Sequence, residues 1–111
     1  MTKFIINAGK YRHPITIQKP DEQQLSSGEP SGNWLDVISC RAGIYPISGS
    51  EFFNKADTVQ GEVTHQILMR YYPGIQRNMR VEFGDRIFQI TSVVNFQEMN
   101  KELQLMCKEL L

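Results

Sequence analysis

The stretch MRVEFGDRIFQITSVV, Met79 to Val94, limits the possible folds of this chain more than any other. Gly84-Asp85 separates two runs of alternating residues, as a two-residue hairpin loop with glycine first requires. The register follows from the turn: Phe83 faces Arg86, Val81 faces Phe88 and Met79 faces Ile90. Met79, Val81, Phe88 and Ile90 then share one face, so turn chemistry and hydrophobic pattern agree.

Other segments repeat the two-residue period. In HPITIQK, Ile15 and Ile17 alternate with Thr16 and Gln18, bracketed by Pro14 and Pro20, and Pro20 helps to end the ladder. WLDVISCRAGIYPI predicts a long second strand from Trp34 to Ile47, with Gly43 marking a bulge or bend. GEVTHQILMRYYPG predicts a third from Glu62 to Tyr72, with Pro73-Gly74 as its turn. Val63, His65, Ile67, Met69 and Tyr71 lie on one of its faces, and Thr64, Gln66, Leu68, Arg70 and Tyr72 on the other. Large apolar groups on both faces are unusual for a strand with one wet side. Asn95 to Lys101 turns the chain again. ELQLMCKEL then reads as a last strand with Leu103, Leu105 and Cys107 inward. Its composition also suits a helix, but a sixth strand can close the sheet.

Two segments break the β pattern. Pro20 to Asn33 holds Pro, Gly, Ser and charge around a single apolar residue, Leu25, and cannot repay its ordering entropy by burial. It is expected as a mobile loop, either functional or a tolerated insertion. ISGSEFF begins a short helix: Ser48 and Glu51 have the spacing of a capping box. The helix is expected over residues 48–58, with Phe52 sealing one end of the sheet and Phe53 pointing elsewhere. The fold expected is mainly β: one domain over residues 1–111, a small antiparallel barrel of about six strands with one flanking helix. Its core is Ile15, Ile17, Phe52, Met79, Val81, Phe88, Ile90, Leu103 and Leu105.

Catalytic chemistry finds little footing. Twelve basic and twelve acidic residues cancel, so no global field argues for nucleic acid or an anionic membrane. No apolar run approaches the roughly 18 residues of a spanning helix, and the start has no signal-peptide pattern, so a cytoplasmic site of synthesis is expected. Cys40 and Cys107 lie far apart, without metal-ligand spacing, and are expected as free thiols. No zinc, phosphate-loop or nucleophile-elbow motif occurs. No cofactor, metal ligand or catalytic residue is expected, and His65 is read as a packed or interface histidine. Arg70, Arg77, Arg80 and Arg86 form one local basic excess, interleaved with aromatics. An OB-like barrel binding single strands through Arg70, Tyr72, Arg80 and Phe83 is the alternative function.

The ordered set GKYRHPITIQKP, NWLDV, RAGIYPISGSEFFNKAD, EVTHQILMRYYPGI, MRVEFGDRIFQI and KELQLMCKE resembles the phage head–tail joining family over about residues 9 to 109. Its members are head-closure (stopper) or adaptor proteins of long-tailed phages and prophages. The resemblance implies a structural, non-enzymatic virion protein at the neck, assembled in the host cytoplasm. It implies a ring, six- or twelvefold, that continues the DNA channel between a portal or adaptor above and a tail protein below. Isolated subunits can be monomers, and packaged DNA only passes through. A neutral chain suits a lumen in which DNA must slide, and a ring needs two complementary patches per subunit. Tyr45, Phe53, Leu68, Arg70 and Tyr72 are the candidate interface residues. Gln23, Gln24, Leu25, Ser26, Ser27 and Gly28 are the first candidate for the channel loop, and the Ser48–Gly61 connection is the second.

Overall fold

Six strands close into one antiparallel barrel in the order β1-β2-β3-β6-β5-β4. The structure, a computed structural model, describes residues 10–23, 27–28, 31–47 and 63–111. The strands are β1 His13–Pro20, β2 Trp34–Pro46, β3 His65–Arg70, β4 Arg80–Phe83, β5 Arg86–Asn95 and β6 Glu102–Leu110. Ser48, Glu51, Phe52, Phe53 and the whole expected helix lie outside the described residues, as do Gln24, Leu25 and Ser26.

The Gly84-Asp85 hairpin has the register that its sequence requires: Val81 opposes Phe88 and Phe83 opposes Arg86. The Ile90 amide donates to the Met79 carbonyl, extending the ladder one pair further. Gly84 has φ +61°, a conformation that costs glycine little. β6 is a strand despite its helix-forming composition, because it pairs with β3 on one side and β5 on the other. Non-local pairing overrides local propensity here.

Alternation places one side of every strand inward. Ile15, Ile17, Met79, Val81, Phe88, Ile90, Leu103 and Leu105 are all buried, and Ala42, Ile67, Met69, Ile75 and Cys107 join the same cluster. β3 is shorter than its pattern suggests. Only Val63, Ile67 and Met69 of the expected inner face are buried, and Tyr71 is exposed. Beyond Arg70 the Tyr71 amide still donates to the Lys101 carbonyl, after which Pro73-Gly74 turns the chain, with Gly74 at φ +93°.

Two irregularities were not readable from the sequence. The β1–β2 register slips between Ile17 and Gln18, which oppose Ile38 and Asp36. Val37 is thus the extra residue, and the bulge lies there and not at Gly43. Gly43 serves a close approach instead: a Cβ would stand 2.8 Å from the Lys10 carbonyl oxygen and 2.8 Å from the Tyr45 ring. The second slip lies between Ile90 and Ser92 in β5. There Thr91 turns its hydroxyl to donate to the Met106 carbonyl, and the inward parity passes from Ile90 to Val93.

The ladder also runs past Pro20. The Asp21 amide donates to the Asn33 carbonyl and the Ser31 amide to the Gln23 carbonyl, so the loop has a paired stem.

Phe88 is fully buried. Phe88→Ala is expected to cost about 3–5 kcal/mol through lost transfer energy and a residual cavity. Leu35→Ala, at an exposed site, should stay within about 0.5 kcal/mol. Urea unfolding of both variants checks the contrast.

Candidate functional site

The surfaces of the barrel, not an internal pocket, carry its polar chemistry. On β2, β3 and β6 the outward positions include Arg41, Gly43 and Tyr45, then Gln66, Leu68 and Arg70, then Glu102 and Gln104, because each alternates with a buried neighbour. The segment Lys10–Arg12, ahead of β1, meets this outer face as a strap. Its Lys10 carbonyl presses on Gly43, and Arg41 Nη1 donates to the Arg12 carbonyl at 2.9 Å.

Glu102 anchors the strap. The Tyr11 hydroxyl donates to Glu102 Oε2 at 2.6 Å, and Lys10 Nζ lies 2.6 Å from the same oxygen. Arg70 approaches the Tyr11 ring at 5.8 Å from its centroid. Tyr11 is 5% exposed and Glu102 5%, so this carboxylate is buried but doubly partnered, the condition under which burial is tolerated. Burial, and then the hydrogen bond to Glu102, push the Tyr11 phenol well above its ordinary range. It therefore stays a neutral donor. Tyr11 and Glu102 are 91 positions apart, and no local pattern in the sequence pointed to the pair.

Of the candidate interface residues, the described ones, Tyr45, Leu68, Arg70 and Tyr72, fall around this strap. Tyr45 is 41% exposed and lies over Gly43. Leu68 stands directly between Gly43 and Gln104 in the pairing register and is half-buried; Arg70 is exposed. Tyr72 packs against the core cluster, so only part of it is available outside. A cleft of about 260 Å³ opens here, with Ile38, Cys40, Met69 and Tyr72 in its wall and Arg41 and Arg70 at its rim. Of the candidate channel loop, Gln23 belongs to the paired stem, where its amide also donates to Asp21 Oδ1 at 3.0 Å. Ser27 and Gly28 are exposed.

The basic residues do not form one platform. Arg80 stacks on Trp34 at 4.1 Å and donates from Nε to Gln18 Oε1 at 2.8 Å. Gln18 in turn donates to Asp36 Oδ1 at 2.9 Å. Arg86 grips Glu109 through two hydrogen bonds of 2.8 and 3.0 Å. Arg70 and Tyr72 lie at the end of β3, three places from β4 in the closed strand order, where Arg80 and Phe83 lie. The structure therefore keeps apart the four residues of the single-strand-binding alternative.

The nucleophiles are quiet. Burial pushes the Cys107 thiol up to about 12 and raises Cys40, and both are free. Among the described residues no group of three His, Cys, Asp or Glu side chains could hold a metal ion, and no helix is long and apolar enough to cross a membrane. His65 packs edge-on against Phe88 at 5.1 Å, shares a 2.9 Å hydrogen bond with Thr64 and stands 3.9 Å from Glu109.

What such a barrel is becomes plain from its relatives. The family model for the phage head completion protein matches residues 6–110. The chain belongs to that family. It is a structural virion component of the head-completion type, and the family is not one of enzymes. Among curated relatives, the head completion protein gp16 of Bacillus phage SPP1 is 32% identical over 73 residues, which span 66% of this chain and 66% of the relative. Among solved structures, protein SF1141 from Shigella flexneri 2a superposes with a TM-score of 0.72 at 22% identity, covering 94% of this chain and 96% of that one. A chain in the virion of a native gene transfer agent particle superposes with a TM-score of 0.65 at 20% identity, covering 90% and 96%. These two likenesses show that the barrel is a shared fold.

Two measurements probe the surface. Tyr11→Phe removes a hydrogen bond to a buried carboxylate and should destabilise the head completion chain by about 1.5–3 kcal/mol in urea unfolding. His65 has its pKa lowered from 6.5, chiefly by burial, with the Glu109 charge opposing. The unfolded chain then binds more protons at this site, so its contribution is present above pH 6.5 and is lost as pH falls through the lowered value. Thermal melts should show a shallower slope in this window for His65→Gln than for the native chain, and a proton-detected titration of the imidazole should find it below 6.5.

Proposed function

We propose that the chain is a subunit of the connector ring at the head–tail joint, a head-closure protein that links a portal or adaptor to the tail and helps to retain packaged DNA. The family match over residues 6–110 carries this reading. Physical features of the chain support it. The core is satisfied internally, and Tyr45, Val94, Phe96 and Met99 remain exposed, apolar groups that an assembly can cover. Net charge is zero, which suits a channel wall past which phosphates must slide.

In this reading Tyr45, Leu68, Arg70 and Tyr72 of one subunit meet a neighbour or the adaptor, together with Phe53. A ring, six- or twelvefold, needs this surface to complement a different patch on the next copy. The loop with Gln23 to Gly28 is the first candidate to reach the channel, since its described residues Gln23, Ser27 and Gly28 are exposed, and the connection over residues 48–61 is the second. The assembled ring sits in the virion neck, with a portal or adaptor above and a tail protein below.

Electron microscopy of the chain mixed with its portal–adaptor assembly should show a stacked ring, and an unbound monomer would speak against the role. Phe53→Asp is expected to block ring or joint formation, and normal assembly would remove Phe53 from the interface. Shortening residues 24–28 should let filled capsids leak DNA. Leakage from a 48–61 deletion alone would move the gate to that connection.

A further inference from the structure

We propose that the open edge of β2 between Trp34 and Arg41, with the cleft beside it, receives an extended segment of a partner protein that carries apolar side chains and an acidic one. The edge is a consequence of how the barrel closes. One side of β2 pairs with β1 from Trp34 to Ala42. The other side pairs with β3 only from Ala42 to Pro46. Among the described residues no backbone hydrogen bond reaches that second side from Trp34 to Arg41. β3 does not extend along it: pairing with β2 stops at Met69, and Pro73-Gly74 then turns the chain.

Sheet edges usually carry a guard such as proline, lysine or an inward charge. β1 has Pro14 and Pro20, whereas the Trp34–Arg41 stretch has neither proline nor lysine; its bulge at Val37 and its Asp36 guard the Trp34 end, and Ile38 to Arg41 beyond them carry no inward charge. Beside this edge lies the cleft of about 260 Å³, walled by Ile38, Cys40, Met69 and Tyr72. Its rim carries Arg41 and Arg70 and no acidic residue lines it. Neither arginine forms a salt bridge among the described residues. An added strand would take main-chain hydrogen bonds from the β2 edge and drop alternate side chains toward the cleft, as in strand-addition recognition. The unbalanced rim selects an acidic occupant over a basic one. That the strand comes from another virion protein rests on the joining role proposed above; the groove itself does not.

Blocked heptapeptides alternating valine and threonine, with a central glutamate or a central lysine, test the groove in titrations of the nitrogen-labelled full chain. The amides of Ser39 and Arg41, which point away from β1, should shift and gain exchange protection, and the glutamate peptide should bind about fivefold more tightly than the lysine one. Arg41→Glu/Arg70→Glu should invert that order. Equal binding, or shifts confined to other strands, would overturn the inference. So would shifts of the same amides with protein concentration alone, which place a second copy in the groove. Particle yield separates the two proposals. Normal joining without the chain removes the joining role and leaves the peptide result standing. Normal joining by the folded double variant removes the groove and leaves the role.

Discussion

The barrel depends on its shortest seam. β1 and β4 meet over three residue pairs only, Thr16–Glu82, Ile17–Val81 and Gln18–Arg80, yet this seam turns an open sheet into a closed one. Closure puts Ile17 and Val81 side by side at full burial. The seam is reinforced on the outside by a chain of polar contacts from Asp36 through Gln18 to Arg80, which stacks on Trp34. A short ladder contributes few hydrogen bonds, and this buttress and the apolar pair beneath it add to them. The Val37 bulge lies next to the same place, and bulges supply the local twist that a small barrel requires.

Closure also decides where function can sit. Among the described residues the buried cluster is made of aliphatic, aromatic and sulfur-bearing side chains. The nucleophiles within it are neutral thiols, held so by burial. What remains is the outside, where one buried carboxylate, Glu102, fastens the strap ahead of β1 across the outer face. The strap covers Gly43 and Glu102 and leaves Tyr45 and Arg70 exposed.

Legibility in the sequence followed the range of each interaction. The Gly84-Asp85 hairpin, the inward residues of β1, β4 and β6, and the barrel class were readable because turn chemistry and a two-residue period are local. Family membership was readable from the order and spacing of several motifs together. The Tyr11–Glu102 clasp, the stacking of Arg80 on Trp34 and the separation of Arg70 from Arg80 were not, since each joins residues remote in sequence. Gly43 shows the distinction well. Its presence in a strand signalled something unusual, and a bulge or bend was the reading. The cause is the Lys10 carbonyl and the Tyr45 ring occupying the space of a side chain.

Taken alone, the amino-acid order determined which residues alternate, where the tight turns fall, that the chain is electrically balanced and to which family it is akin. Those properties depend on neighbours a few positions apart or on composition. The tertiary structure decided which strands pair, where two registers slip, which arginines are already engaged and how far β3 pairs along β2. These outcomes depend on how a sheet of fixed twist closes around a core of fixed volume, and no segment carries that information by itself.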